Sequence, residues 1–416
     1  MMFVLVEVKR QIVNLHQINA FPSLHWTKKV RNYLKVGQNL FHFENRTPRC
    51  VAILDSKVSL MAYFQYQAYW HAKCLQPIVT DNKTHVIYSS RVLLELNMNR
   101  RLAITLIALL TLVSCAKEEP LKVGYSDWPG WVTWEIAIEK NMFAKVGVNV
   151  EFEWFDYVAS MDAFAAGQLD AVAMTNGDAL VTGATGAQNV MILINDYSNG
   201  NDMIVAAPGI STIDELKGKK VGVEIGFVGH LLLLNALEKS GLSESDVELV
   251  NVPTNETPQV LASGEVDAIV AWQPNSGQSL NLVPGSTAIY TSADEPGLIY
   301  DVLAVSPTSF AQNRKSWAKV IEVWDMAVAF LNNPETREEA ISIMAARVGL
   351  SSEEYKGFIE GTKIMSVSEA SVFAERGDGF TSIYGSTKIA DDFNVANEVY
   401  NEAQPIDSYI DLSLMQ

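Results

Sequence analysis

The sequence predicts an α/β protein of two similar lobes, each a mainly parallel sheet flanked by helices, and three observations carry that prediction. Residues 165–176, AAGQLDAVAMTN, return 97 positions later as ASGEVDAIVAWQ at 262–273. KVGYSDWPGW at 122–131 returns 98 positions later as KVGVEIGFVG at 220–229, and each copy reads as a short strand, a Gly-containing loop and a helix start. Around these blocks strand-length apolar runs alternate with helical ones, the β-α-β order that builds parallel sheets with helices on both faces. Two segments repeating at nearly one spacing imply a duplicated unit, and two copies are too few for a solenoid.

Taken in order, residues 123–125 read as a strand and 132–143 as a helix ending in the Lys145, Val146, Gly147 turn. Residues 148–152 alternate as a strand, 161–166 as a helix with Gly167 as its left-handed cap, and 171–174 as a buried strand. Residues 191–194 make another strand, and the polar run from Asn195 leads to 203–206. The second lobe starts near Pro208, with a capping pattern at Ser211 and Glu215, then strand 220–224, helix 231–239, strand 248–252, helix 258–262 and strand 268–272. Residues 299–305 cross back, and the mostly helical stretch from about Pro307 packs on the first lobe. The domain limits expected are 116–206 with 303–416 for lobe 1 and 207–302 for lobe 2, joined by short crossings that can hinge.

Composition divides the chain into three zones. Residues 1–97 hold Cys50, Cys74, five of the six histidines and 12 basic against 5 acidic residues, with no metal-ligand spacing among them. Next come Met98, Arg100, Arg101, an apolar run from Leu102 to Leu110 and a small-residue site, the plan of an export signal too short to span a membrane. The expectation is therefore a signal peptide at 98–114 with translation starting at Met98 and 1–97 a non-native upstream extension. A genuine extra domain or a signal anchor is the rival. LVSC at 112–115 resembles the lipobox of bacterial lipoproteins, which implies lipidation of Cys115 and an anchor on the outer face of the cell membrane. Beyond Cys115 there are 17 basic and 43 acidic residues and the single histidine His230. So acidic a body disfavours nucleic acid and anionic membrane faces as partners.

In open parallel sheets ligands sit beyond the carboxyl ends of the strands, so two facing lobes direct four loops at one cleft: 126–131, 175–178, 225–230 and 273–276. Lys and Arg are absent between Lys145 and Lys217 and between Lys239 and Arg314, and residues 123–139 and 221–238 also lack them, so none of these loops carries a basic side chain. Asp127, Asp178, Asp196, Asp202 and Glu224 lie in or beside them. Carboxylates suit a small cation or polar amide such as guanidinium, an amidine or urea, with Trp128, Trp131 or Trp272 over its face. Helix N-termini binding an anion through backbone N–H groups is the counterargument.

The candidate ligand-binding residues are Asp127, Trp128, Trp131, Asn176, Asp178, Asp202, Glu224, His230, Trp272, Gln273 and Asn275, with Asp127, Trp128, Asp178 and Trp272 foremost. Asp178 aligns with Asn275 in the second copy. Glu224 also reads as a partner for Lys220, and His230 as a helix cap. Asp170 and Asp267 read as helix–strand connection residues, and Trp134 as core. No cofactor or metal is implied, and no G-x-S-x-G, H-E-x-x-H, Walker or dinucleotide motif is present.

VGYSDWPGW, AAGQLDAVAMTNGDAL, DELKGKKVGVEIG and ASGEVDAIVAWQPN together resemble the solute-binding proteins of bacterial ABC importers, in the nitrate, sulfonate and taurine group that includes thiamine-pyrimidine binders. The resemblance runs from Leu121 to about Gln404. It implies a type II periplasmic-binding fold, a monomer that closes on a small molecule and hands it to a permease with its ATPase. Within the group it is nearest a subgroup encoded beside urea- or guanidine-carboxylating enzymes. A ligand-responsive sensor subunit and an enzyme on the same fold are the competing classes. The fungal thiamine-pyrimidine synthases, which share the resemblance, carry a cysteine-rich iron motif missing here.

Overall fold

The computed structural model describes residues 119–416 and, upstream, strands β1 (Ile78–Thr80) and β2 (Lys83–His85). β1 and β2 pair antiparallel, Ile78 opposite His85, within a unit of residues 1–115 distinct from that of residues 116–416. The expected leader at 98–114, Cys115, Cys50, Cys74 and the rest of 1–97 lie outside the described residues.

In the larger unit β3 (Leu121–Tyr125) leads through three short helices, α1 (Pro129–Val132), α2 (Trp134–Glu139) and α3 (Met142–Val146), to β4 (Val150–Trp154). α4 (Tyr157–Ala165), β5 (Ala171–Thr175), α5 (Asn176–Ala184) and β6 (Val190–Ser198) follow. The chain then crosses into β7 (Asp202–Ala206), β8 (Lys220–Val223), α6 (Val228–Lys239), β9 (Glu248–Asn251), α7 (Thr257–Ser263), β10 (Ala268–Trp272), α8 (Asn275–Leu282) and β11 (Thr287–Thr291). It returns in β12 (Tyr300–Val305) and continues as α9 (Pro307–Gln312), α10 (Arg314–Asn332), α11 (Arg337–Arg347), α12 (Ser352–Glu360), β13 (Thr362–Ile364), α13 (Val367–Ala370), α14 (Ile383–Ala396) and α15 (Ile406–Tyr409). The single helix expected at 132–143 is broken at Thr133 and at Asn141, whose φ of 51° is left-handed, a conformation Asn tolerates better than most residues.

The sheets run β4-β3-β5-β12-β6-β13 and β9-β8-β10-β7-β11. Place by place they agree: a parallel triplet, then an antiparallel strand, then a further strand. The antiparallel place is filled by a strand adjoining a lobe crossing, β12 in the first sheet and β7 in the second. Both sheets are therefore mixed, where the β-α-β order suggested mainly parallel ones. Strand membership also moves the crossings. β7 already belongs to the second sheet, ahead of the expected limit at 207, and β12 rejoins the first at Tyr300, ahead of 303. Which sheet edge takes a strand's backbone hydrogen bonds is a non-local matter that hydropathy does not encode.

The duplication extends to single hydrogen bonds. Lys122 N–H donates to Asp170 Oδ2 at 3.0 Å and Lys220 N–H to Asp267 Oδ2 at 2.9 Å; in return Asp170 N–H donates to Lys122 O at 2.9 Å and Asp267 N–H to Lys220 O at 2.8 Å. Each aspartate thus ties the start of its lobe's third parallel strand to the first. Gly167 (φ 72°) and Gly264 (φ 75°) turn the chain out of the preceding helices in the left-handed region that favours glycine. β5 and β10 are buried throughout, which is why both read as unbroken apolar runs. α10 buries Trp317, Val320, Ile321, Trp324, Ala327, Val328 and Leu331, and Trp324 packs against Trp134 at 4.8 Å, so the C-terminal helices sit on the first lobe and Trp134 is core.

Candidate functional site

A small cavity of about 10 Å³, room for about one water-sized sphere, lies where the lobes meet. Trp128 and Trp131 come from the loop and helix after β3, Tyr157 from the start of α4 and Thr175 from the end of β5; lobe 2 adds Val228 at the start of α6 and Trp272 at the end of β10. Asp202, Ile299 and Asp301 complete the lining from the crossings. These are the carboxyl ends of parallel strands and the starts of antiparallel ones, where loops converge. In this closed arrangement the lobes leave space for no more than about one water molecule, so a larger guest needs them parted.

Four aromatic rings form the walls. Trp131 stacks on Tyr157 at 5.3 Å and 22°, Tyr157 meets Trp272 edge-on at 5.2 Å, and Trp128 meets Trp131 edge-on at 6.4 Å. Two indole N–H groups are tied down by acids: Trp128 donates to Asp196 Oδ1 at 2.9 Å and Trp272 to Asp127 Oδ1 at 3.2 Å. Asn275 Nδ2 donates to Asp127 Oδ2 at 3.0 Å, so a lobe-1 carboxylate latches two lobe-2 side chains. Gly130 is obligatory beside Asp196, since a Cβ there would come within 1.9 Å of its carboxylate.

The floor is acidic. Asp196, Asp202 and Asp301 are 0, 4 and 1 % exposed, and each keeps an Oδ2 with no hydrogen-bond partner among the described residues. Burial pushes Asp202 up to about 7, reinforced by the charges of Asp196 and Asp178. Asp301 and Asp196 are cross-strand partners in β12 and β6. Burial drives both upward, and the charge of Asp196 raises Asp301 further. No lining residue is Lys or Arg. Arg347, from the C-terminal helices, instead pairs with Glu135 at 2.9 Å and lies 4.2 Å over Trp154. Among the described residues no three His, Cys, Asp or Glu are arranged to hold a metal ion.

Of the expected site residues, Trp128, Trp131, Asp202 and Trp272 line the cavity. Asp127 and Asn275 form the latch beside it. Asp178 stands behind the lining: Tyr157 Oη donates to it at 2.6 Å, and burial lifts it to about 6 against that bond and further ones from Thr175 and Val228. The other four engage elsewhere. Asn176 braces β5 against α14, donating to Ser386 Oγ and Thr387 Oγ1 and accepting from Tyr300 N–H, all at 3.1 Å. Gln273 Oε1 accepts from Gly277 N–H at 3.1 Å inside α8. Glu224 accepts from Thr254 Oγ1 at 3.1 Å, not from Lys220, which pairs with Glu248; burial lifts Glu224 to about 7. His230 Nδ1 accepts from Gly226 N–H at 3.3 Å, its Nε2 lies 3.5 Å from Glu244, and burial lowers its affinity for a proton.

Sequence reasoning did not name Tyr157, Ile299 or Asp301 as lining residues, and it held Thr175 and Val228 only as members of the expected cleft loops 175–178 and 225–230. Asp301 had a signal, an acid inside the apolar strand YDVLAV, as did Asp196 in VMILINDYS. The helix N-termini, on which an anion site would rest, are partly spoken for. Asp178 sits in the first turn of α5 and takes a backbone hydrogen bond from Val228, the first residue of α6. The Gln273 amide occupies α8.

The model of the NMT1-like family matches residues 114–345. Over 184 residues the chain is 32 % identical to a protein of Brucella abortus described as a binding protein, an alignment covering 44 % of this chain and 57 % of that one, so the match spans little more than half of that relative. It is 24 % identical over 248 residues to the taurine-binding periplasmic protein of Escherichia coli, covering 56 % of this chain and 74 % of that one. The crystal structure of the periplasmic aliphatic sulphonate binding protein SsuA from Escherichia coli superposes with a TM-score of 0.60 at 20 % identity, over 72 % of this chain and 99 % of that one. The two-lobed periplasmic-binding fold is thus common to both.

Proposed function

This chain belongs to the NMT1-like family, and from that premise we propose that it is an extracytoplasmic solute-binding protein that captures a small nitrogen-rich cation and delivers it to an ABC importer permease. The observation that carries the ligand class is the pair Asp202 and Asp301, lining residues that each hold a buried carboxylate oxygen without a partner among the described residues, in a cavity walled by four aromatic rings and lined by no basic residue. A guanidinium, amidinium or alkylammonium group would give N–H donors to these oxygens in charge-assisted bonds and its charge to the ring faces at about 0.5–2 kcal/mol per contact. Closure of lobe 2 then brings Trp272 and Val228 over it, and the ligand favours closure by its preference for that state. An anion such as taurine or nitrate is the second reading, favoured by the names of the relatives. Lipidation of Cys115 would keep the carrier at the membrane, and 98–114 would be the cleaved leader. Among the described residues no helix is long and apolar enough to cross a membrane.

A thermal-shift screen followed by calorimetry tests the reading on the full chain with guanidinium, methylammonium, urea, taurine, nitrate and an alkyl sulfonate. Cations stabilise the protein if the proposal holds; stabilisation by taurine or nitrate with none by cations transfers the site to the second reading. Loss of cation uptake on deletion of the gene separates a transporter subunit from a sensor.

A further inference from the structure

The three buried carboxylates sit on the strands that flank the lobe crossings. Asp196 lies near the end of β6 before the first crossing, Asp202 opens β7 after it, and Asp301 is the second residue of β12 after the return. Asp196 and Asp301 are directly opposed residues of the β6–β12 pairing, 0 and 1 % exposed. Two carboxylates buried side by side cannot both ionise without a counter-charge, so the pair retains a proton between them. The neighbours supply no positive charge. Thr175 lies opposite Asp301 on β5 and Ile364 opposite Asp196 on β13, while Gly130 of α1 packs on the Asp196 carboxylate. The ionisable groups whose charges reach the cluster are Asp178 of α5 and Tyr355 of α12, and Tyr157, Asp127 and Glu224 stand nearby. All are acids. The Oδ2 atoms of Asp202 and Asp301, both more than nine-tenths buried, have no hydrogen-bond partner among the described residues and belong to side chains that line the cavity.

We infer that the site takes its ligand as a compact monocation in exchange for the proton shared by Asp196 and Asp301, which leaves for bulk water, and that a neutral amide of the same outline is not its cargo. The inference rests on the cation reading above. One positive charge enters and one leaves, so the lobes close without changing the net charge they bury, which avoids the heavy cost of an unpaired buried carboxylate. A neutral guest leaves the shared proton in place and gains only uncharged hydrogen bonds, which are about half as strong. Because the exchange occurs on the strands beside both crossings, the counter-charge arrives where the lobes hinge.

Calorimetric titration of the full chain with guanidinium chloride near pH 6.5, in two buffers of different ionisation enthalpy, reads the exchange directly. The expected result is release of about one proton per ligand, with affinity rising about tenfold per pH unit from pH 5 to 6.5. Asp301→Asn, which holds Asp196 through a permanent amide donor, is expected to bind guanidinium more weakly and to release fewer protons than the wild-type chain. Saturable guanidinium binding by the wild-type chain with equal enthalpies in the two buffers overturns the exchange and leaves the cation reading intact. Urea bound as tightly as guanidinium at pH 8 overturns the exclusion of neutral guests. Taurine or nitrate bound in place of guanidinium and methylammonium overturns both the inference and the reading beneath it.

Discussion

Asp170 and Asp267 hold equivalent places in the two lobes and make the same pair of backbone hydrogen bonds, whereas Asp178 and Asn275, also 97 positions apart, have parted company. Asp178 anchors Tyr157 behind the cavity wall; Asn275 reaches across the lobes to Asp127. The two β-strand connections must satisfy the same backbone groups in any such lobe, so they stay alike. The cleft loops face one guest from two sides and are not bound by that symmetry. The asymmetry has a direction: lobe 1 contributes three of the four aromatic rings, while lobe 2 contributes Trp272 and Val228, and the acids Asp202 and Asp301 stand on the strands beside the crossings, one in each sheet. The charged floor is thus drawn from both sheets and the aromatic walls mostly from lobe 1.

The strongest way to break that comparison is to remove the acidic floor. Asp202→Asn combined with Asp301→Asn is expected to lower guanidinium affinity about 100-fold or more, since each hydrogen bond to a charged group contributes about 1.5–3 kcal/mol. Calorimetry that finds the affinity unchanged moves the seat of charge recognition away from these two acids. The same acids set a pH signature in the ligand-free protein. Asp178, at about 6, and Asp202 and Glu224, both at about 7, hold protons more tightly folded than unfolded. Their contribution is complete below about pH 4 and is lost as pH rises through 6 to 7. The melting temperature of the ligand-free chain should therefore fall between pH 5 and pH 8, and guanidinium should restore more of it at pH 8. A melting temperature that climbs over this interval contradicts these assignments.

Smaller effects sharpen the contribution of lobe 2. Trp272→Phe keeps a ring on the guest but loses the bond to Asp127, and should weaken binding about fivefold; combined with Asp127→Ala it should show a coupling of about 1 kcal/mol in a double-mutant cycle. Strictly additive effects would mean that the latch does not stabilise the closed form. Least consequential for binding are Asp170→Asn and Asp267→Asn. Each should cost about 0.5–1.5 kcal/mol of stability in denaturant unfolding while leaving affinity within about twofold. A large affinity loss from either would make the connections part of the site.

What could be read directly from the residues was whatever local pattern and repetition encode. The repeat at 97–98 positions announced two lobes, and the apolar runs at 171–175 and 268–272 announced buried central strands. The absence of Lys and Arg from the cleft loops announced an acidic cleft, because charge composition is a property of the chain itself. Trp128, Trp131 and Trp272 were legible as lining residues because they end a parallel strand or lie in the loop and helix start that follow one, and Asp202 because it closes the polar run ahead of an apolar strand. The exchange of β7 and β12 between lobes was not legible, since a strand's hydrophobic period is the same whichever sheet receives it. Nor was the separation of Asn176, Gln273, Glu224 and His230 from the cavity, because whether a polar side chain faces a guest or a neighbouring backbone group depends on partners far along the chain, such as Ser386 for Asn176. The meeting of Asp196 with Asp301, 105 positions apart, arises only when β12 docks beside β6. A chain displays its charges one by one; folding alone chooses which of them must share a proton.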